Sequence, residues 1–337
     1  MLGSPGGTVT PHGRRAVADG VVVIGAGVVG LTTAVCLAEH GVDVRVVSDR
    51  EPAATTSAAA GAMWDPYLVR PAALVERWSS ATLTELTALS EDEDSGIRLV
   101  EGTQESRVPR DLPVWAPLVG ARACAPDELR PGFVTGWRYR APVVDMPRYL
   151  AHLARRLKTA GGRLSRHHYG TLADALRERA PVLVNCSGAG ARSLVPDPSL
   201  EPVRGQLVVV ENPGVQEFFC DDTPDADTLT YIYPHAGTVV LGGTAEPGRG
   251  DTVPDDEAAR GIIERCVAVE PRLAGARVLE RRVGLRPKRP EIRFEEERLG
   301  ATTVLHNYGH GGGGITLSWG CARETAERVR RLLGLTP

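Results

Sequence analysis

The chain has 337 residues, 42% of them hydrophobic, and its 42 acidic against 39 basic side chains leave a net charge of −3. That balance excludes a protein built to grip a polyanion or a membrane surface, so neither nucleic acid nor membrane is an expected partner. The length suits one large α/β domain or two intimately joined ones. Residues 1–19 carry Gly, Pro, Ser and Arg without periodicity and lack the apolar stretch of a signal peptide, so they read as a flexible tail. No apolar run approaches the roughly 20 residues that a membrane span requires. The six cysteines show neither C-x-x-C nor zinc spacing, which fits a reduced, cytoplasmic protein with no metal.

The first structured stretch is VVVIGAGVVG, Val21 to Gly30. An apolar strand runs into Gly25-Ala26-Gly27-Val28-Val29-Gly30, and an apolar-periodic helix follows from Leu31 to about His40. Gly25 allows a tight turn, Gly27 lets a pyrophosphate approach the backbone, and Gly30 lets helix and strand pack closely. The helix N-terminus then faces the phosphate anion. A second strand, Val42 to Val47, ends at Asp49-Arg50, where an acidic residue would grip a ribose. The turn by itself implies a dinucleotide and does not separate FAD from NAD. Thr55-Thr56-Ser57 and Gly61-Ala62-Met63 come next, and the small side chains between them would let backbone lie against a flat ligand. An N-capped, Ala-rich helix is the alternative.

Ala72 to Leu89 has helical periodicity, and strands are expected at Ile97–Glu105 and Trp137–Val144. Asp145 caps a helix with Pro147 in its first turn. Further strands fall at Arg163–Tyr169 and Pro181–Cys186, with a short helix at 172–179 between them. The second of these strands ends in Ser187-Gly188-Ala189-Gly190, suited to the ligand edge of a parallel sheet. Pro202–Val210 is a strand, and 211–227 reads mostly as an exposed loop. Thr228–Pro234 and Thr238–Gly243 form a hairpin, Asp255–Val269 is helical, and Val278–Leu285 is a strand that gives way to Arg286-Pro287-Lys288-Arg289-Pro290. The chain closes with a strand, the glycine run Gly311-Gly312-Gly313-Gly314, Ile315-Thr316, and a helix from Leu317 to Leu333. The β-α-β start and β-loop-α end, with mixed strands between, make the nucleotide domain discontinuous. An NAD dehydrogenase usually keeps that domain in one block, whereas FAD reaches across several segments. The fold expected is α/β: a discontinuous FAD-binding Rossmann-like domain at 20–80, 145–200 and 285–337. An inserted, mainly antiparallel β substrate-binding domain takes 81–144 and 201–284.

VVVIGAGVVGLTTA, TTSAAAGAMWDPY, VNCSGAG, PVRGQLVVV, TYIYP, VGLRPKRPEIR and HNYGHGGGGITLSWGCA occur in this order. Together they resemble the D-amino-acid oxidase family, which includes D-aspartate oxidases. The resemblance runs from about Val21 to Arg331 and implies non-covalent FAD, with a D-amino acid and oxygen as the small-molecule partners and a homodimer as one possible assembly. By resemblance, Ala26, Gly27, Val28 and Val29 meet the pyrophosphate, Asp49 and Arg50 the adenosine, and the 55–57 and 61–63 segments the pyrophosphate and ring system. His168 falls near a position whose backbone meets the adenine, and Ser187 matches a hydroxyl beside the cofactor. Arg286 matches the arginine that pairs with the substrate carboxylate, Tyr231 a tyrosine that adds to that grip, and Gly312 the carbonyl that accepts from the substrate amine. Gly311 to Thr316 match the loop that holds the pyrimidine end of the flavin.

An Arg guanidinium suits an α-carboxylate because it donates two parallel charge-assisted hydrogen bonds. Clamp, amine acceptor and side-chain pocket give the three contacts that select one hand at Cα. Hydride transfer from Cα to flavin N5 then needs no side-chain base. From sequence alone, Arg289 and Arg293 are as good clamp candidates as Arg286. Tyr233 reads as core beside Tyr231. His306 and His310 read as structural. Two departures stand out: Gly313 replaces a bulky residue, and Asp65 replaces a neutral one. Facing the pocket, Asp65 would favour cationic side chains; a surface position is the alternative. The function expected is oxidation of D-amino acids with neutral side chains to 2-oxo acids, ammonia and hydrogen peroxide. A D-aspartate oxidase would need a second cation, from His235 or Arg249. A glycine- or sarcosine-type amine oxidase, an NAD dehydrogenase and an inactive flavin-binding protein are the remaining alternatives.

Overall fold

Fifteen strands and seven α-helices appear in the computed structural model, which describes residues 20–66, 69–224 and 228–335. The flexible tail expected at 1–19 lies outside the described residues. The strands are β1 (Val21–Ile24), β2 (Val44–Ser48), β3 (Ala62–Met63), β4 (Ile97–Ser106), β5 (Arg122–Ala123), β6 (Thr135–Val144), β7 (Arg163–Arg166) and β8 (Val182–Asn185). They continue as β9 (Glu201–Glu211), β10 (Phe218–Asp221), β11 (Tyr231–Pro234), β12 (Thr238–Gly242), β13 (Glu246–Pro247), β14 (Val278–Leu299) and β15 (Thr302–His310). The helices are α1 (Val28–Glu39), α2 (Ala72–Leu89), α3 (Met146–Thr159), α4 (Leu172–Leu176), α5 (Ala191–Leu194), α6 (Asp256–Val269) and α7 (Gly314–Leu332).

All fifteen strands join one sheet, whose main path runs β3-β6-β4-β10-β11-β12-β9-β14-β15-β8-β1-β2-β7. The last five of these are parallel to one another. Side chains alternate across that half as the pleat demands: Val21 and Val23 enter the core beneath α1, α3 and α7, while Val22 and Ile24 enter the opposite core with Leu183 and Val304. Burial on both faces explains the unbroken apolar runs of β1 and β8. The other half is antiparallel apart from the parallel β4–β10 pair. There Tyr231, Tyr233, Leu207 and Val209 point to one face, and Ile232, Val208 and Val210 point to the other, under α6. No helix among the described residues is long and apolar enough to cross a membrane.

Three expectations are corrected. The stretch 211–227 is not mostly an exposed loop: it holds β10, whose Phe218 and Phe219 are buried between β4 and β11. Four strand residues flanked by Asp, Pro and Gly give no readable period. The strand at Val278 does not stop at Leu285 but continues to Leu299, through Pro287 and Pro290. It pairs with β9 up to Lys288 and with β15 from there on. Pro290 falls in the register shift between Lys288 and Arg293, where its missing N–H costs no ladder bond. The closing helix starts at Gly314 rather than Leu317, so part of the glycine run is helical.

Arg204 of β9 is fully buried and ties the sheet to the segment after β12. It donates to Glu246 Oε1 at 2.6 Å and Gln206 Oε1 at 3.1 Å, and Thr244 Oγ1 donates to the same Glu246 oxygen at 3.1 Å. Replacing Glu246 with alanine leaves the guanidinium with Asp251 at 3.4 Å as its remaining carboxylate. The expected cost is about 2 kcal/mol, read as a lower urea midpoint at unchanged slope.

Candidate active site

The glycine turn lies at the C-terminal edge of the parallel strands. Gly25 has φ +108°, and a Cβ there would stand 2.5 Å from Cys186 O. A Cβ on Gly30 would overlap Gly25 O outright. These contacts hold strand and helix too close for any other residue. Gly27 caps α1 without a side chain, and a Cβ on it would fill the hollow 3.0 Å from Ser57 Oγ. The cradle is therefore an open backbone surface at a positive helix end, which fits a pyrophosphate. Ala26 and Val28 are buried, and Val29 packs against the α1 core. Asp49, Arg50 and His168 come together at the ends of β2 and β7: Asp49 Oδ2 is 3.9 Å from Arg50 Nε and 4.0 Å from His168 Nδ1. Ser187, at the end of β8, donates to Asn185 Oδ1 at 2.6 Å. All four segments therefore share one sheet edge, the usual place for a ligand in an open α/β sheet.

The Thr55–Met63 segment connects this cradle to the antiparallel half. Thr55 Oγ1 donates to Pro52 O at 2.8 Å, closing a short turn. Ser57 Oγ accepts from the Val28 amide at 3.0 Å, and Thr56 Oγ1 accepts from the Leu285 amide at 3.4 Å. Gly61 lies against the Tyr231 ring, where a Cβ would meet Tyr231 Cε2 at 2.8 Å. Ala62 and Met63 form β3 and face the two different cores. The segment is neither an Ala-rich α-helix nor free loop: it is a 3₁₀ turn at Pro52–Ala54 followed by irregular backbone and β3.

Arg286 sits where β14 changes partners, opposite Val203 of β9 and two residues before Lys288 meets His310. Its guanidinium lies across Gly205, where a Cβ would overlap it, and donates to Thr244 O at 2.9 Å. The charge of the same guanidinium acts on the Tyr231 phenol, and the Tyr231 ring rests on Gly242 in the same manner. Burial pushes the Tyr231 phenol up to about 12 despite the nearby Arg286, so it stays a donor at neutral pH. The other two arginines of the motif are engaged. Arg289 donates to Asp197 Oδ2 at 2.9 Å, and Arg293 pairs with Glu295 at 2.6 Å and donates to the Tyr308 hydroxyl at 3.0 Å. Among the described residues Arg286 pairs with no carboxylate. A half-buried guanidinium with spare donors beside a phenol is a site for an anion of carboxylate shape.

The glycine run is drawn to the same place. The Gly311 amide donates to Pro287 O at 3.0 Å, one residue past Arg286. Gly311 and Gly312 have nothing within 4 Å of where a Cβ would stand, so their backbone borders open space. A side chain on Gly313 would meet Val69 Cγ2 at 2.7 Å, and Gly314 faces Val28 Cγ1 at 3.6 Å, which brings the start of α7 against the start of α1. Ile315 packs into the α1 core, and Thr316 Oγ1 donates to Asp65 O at 2.9 Å. The four glycines thus fit between two helix N-termini, a geometry suited to a long cofactor with an anionic middle and a flat polar end.

The two histidines differ. His306 is held by Asn185 Nδ2 at 3.3 Å and Glu297 Oε2 at 3.0 Å, and burial lowers its pKa against the pull of Glu297. His310 is buried with an unpartnered Nε2, and burial lowers it to about 4, so it is neutral. Arg249 is taken by Glu246 and Asp251, both at 2.7 Å, and is not available as a second substrate cation. Gly205 and Gly242 were missed as site residues. Their signal was a glycine inside a strand, which marks close approach of another group.

These features have counterparts in known proteins. Residues 20–328 match the family of FAD dependent oxidoreductases. The chain is 50% identical over 317 residues to D-amino-acid oxidase of Rubrobacter xylanophilus, covering 93% of this chain and 96% of the relative. It is 38% identical to human D-aspartate oxidase over 92% and 94% of the two chains. Among solved structures, glycine oxidase from Geobacillus kaustophilus shares the fold with a TM-score of 0.77 at 19% identity, over 93% and 94% of the chains. With the open cradle at Gly27 and the match over nearly its whole length, the chain belongs to the family of FAD dependent oxidoreductases and takes FAD as its cofactor.

Proposed function

We propose that the protein oxidises D-amino acids with neutral side chains to 2-oxo acids, releasing ammonia and hydrogen peroxide. The carrying observation is the Arg286 guanidinium, which pairs with no carboxylate among the described residues and lies near the Tyr231 phenol and the glycine run. The chemistry that FAD supplies when bound is two-electron oxidation, with oxygen as the final acceptor. The rest is alignment by this chain's own groups. Arg286 holds the substrate carboxylate through paired donors, and the Tyr231 hydroxyl adds a third. The Gly312 carbonyl accepts from the amine. With the side chain directed to the tyrosine face, one hand at Cα satisfies all three contacts. No side-chain base takes part; the substrate enters with a neutral amine and the Cα hydrogen leaves with its bonding pair. Atoms balance with one oxygen molecule and one water consumed for each 2-oxo acid, ammonia and peroxide formed.

Two units divide this work in our reading: residues 20–80, 145–200 and 285–337 hold FAD, and 81–144 with 201–284 form the substrate-binding wall. The acidic-substrate alternative is disfavoured, because Arg249 is engaged by Glu246 and Asp251. The six cysteines are unpaired, which supports a reducing compartment such as the cytoplasm.

The test is anaerobic mixing of the flavin-loaded protein with D-methionine, D-alanine or D-aspartate. Bleaching of the visible flavin bands by D-methionine and not by L-methionine, with peroxide on readmission of air, is the expected result. Retained colour with every D-amino acid overturns the reading.

A further inference from the structure

The face of the antiparallel sheet opposite Tyr231 carries a second recess that the proposed reaction does not use. Tyr231 and Tyr233 point one way from β11, and Ile232 points the other way, into the core under α6. Beside that core lies a cavity of about 400 Å³. Three arginines line it: Arg107 just after β4, Arg130 ahead of β6, and Arg265 of α6. Thr223, Thr228 and Thr230 bring hydroxyls to it, and Pro131, Phe133 and Val269 an apolar wall.

The fold seats each guanidinium. Arg107 lies over the Phe133 ring at 4.2 Å, and its Nε donates to Asp221 Oδ2 at 3.3 Å. Arg130 lies over the Phe219 ring at 4.6 Å, donates to Thr103 Oγ1 at 2.7 Å and pairs with the fully buried Glu105. Stacking on a ring fixes the plane of a guanidinium while its N–H edge stays open to an anion. Arg265 is half-buried and donates to Gly243 O at 3.2 Å. Its buried Nε has no partner among the described residues.

The charges around the cavity do not balance. Asp221 is the one lining carboxylate among the described residues, and it is already answered. Arg107 takes one of its oxygens, and the Thr223 amide and hydroxyl donate to the other at 3.0 and 2.5 Å. Glu105 answers Arg130. Arg265 pairs with no carboxylate among the described residues. A partly desolvated cation without a counter-charge is costly until an anion reaches it. A phosphate group has three terminal oxygens for donors that converge from three directions, where a carboxylate has two. The space exceeds a bare ion, and the apolar wall suits an organic body beside the charged head.

We propose that this cavity binds a phosphate group, either as the free ion or as a phosphomonoester whose body lies against Phe133 and Pro131. The site is separate from the Arg286 clamp and stands whether or not the oxidase reading holds.

Equilibrium dialysis of the FAD-loaded protein tests it, with phenyl phosphate and inorganic phosphate as probes and potassium chloride holding the ionic strength constant. A dissociation constant on the order of 0.1 mM is expected for phenyl phosphate. Arg265→Gln and Arg107→Gln are each expected to weaken it about tenfold. Arg107 is exposed, so its variant keeps the test open where Arg265→Gln fails to fold. Arg286→Ala, on the opposite face, is expected to bind both probes as the wild type does. Tighter binding of phenyl phosphate identifies the ester as the ligand, and equal affinities identify the free ion. Uptake of neither probe overturns the inference. So does an unchanged affinity in either folded arginine variant, or a loss of binding in Arg286→Ala, which would place the probe at the substrate clamp.

Discussion

Arg286→Ala is expected to lower kcat/KM for a neutral D-amino acid on the order of a thousandfold, about 4 kcal/mol, mostly through KM. Three observations set that size. The guanidinium lies over Gly205 with Thr244 O as its fixed acceptor, so it is aimed before substrate arrives. It shares the site with the Tyr231 hydroxyl, which burial keeps protonated. Among the described residues it pairs with no carboxylate, whereas Arg289 and Arg293 are committed to Asp197 and Glu295. Arg286→Lys restores the charge but not the planar fork, and should recover only part of the loss. The flavin spectrum of both variants should be unchanged, because the pyrophosphate turn lies elsewhere on the sheet. Steady-state peroxide release against substrate concentration is the measurement. Near-normal KM in Arg286→Ala would move the clamp to another residue and remove the central support of the proposed function.

The choice among the three arginines shows where sequence stops. Arg286, Arg289 and Arg293 sit in one short motif and carry the same charge. What separates them is the partners that the fold supplies from 92 residues upstream in the case of Asp197. Local elements with strong periods were legible: β1, α2 over Ala72–Leu89, the β11–β12 hairpin and the Asp145 cap of α3 follow from apolar spacing and capping chemistry. Elements defined by their neighbours were not. Strand β10 is four residues inside a polar stretch and exists because β4 and β11 leave a gap that Phe218 and Phe219 fill. The full length of β14 was hidden by its two prolines, which are tolerated because the strand changes partners between them. The roles of Gly205 and Gly242 depend on which distant side chain lands on them.

Gly30→Ala tests the other half of the site with the simplest change available. An added methyl overlaps Gly25 O, and the Cys186 side chain lies 3.3 Å away on the other side. Neither neighbour can yield cheaply. Gly25 is held at φ +108° with its own Cβ position blocked by Cys186 O, and its amide donates to Val47 O at 2.8 Å. Helix α1 must therefore move outward from β1, opening the core that Leu31, Ala34 and Val35 share with α3 and α7. Outward movement also carries the positive helix end away from the pyrophosphate it should hold. The expected outcome is protein purified without flavin and with a lowered unfolding midpoint. Gly27→Ala separates the two effects. There the methyl meets only Ser57 Oγ at 3.0 Å, a hydroxyl that can turn aside, so the apoprotein should keep its fold by far-ultraviolet circular dichroism. The methyl still occupies the hollow itself, and FAD affinity should fall on the order of a hundredfold, about 2.7 kcal/mol. Flavin retained through gel filtration by Gly27→Ala at the wild-type level would show that the pyrophosphate does not lie against this turn, because no other change in the variant could be compensating for its loss.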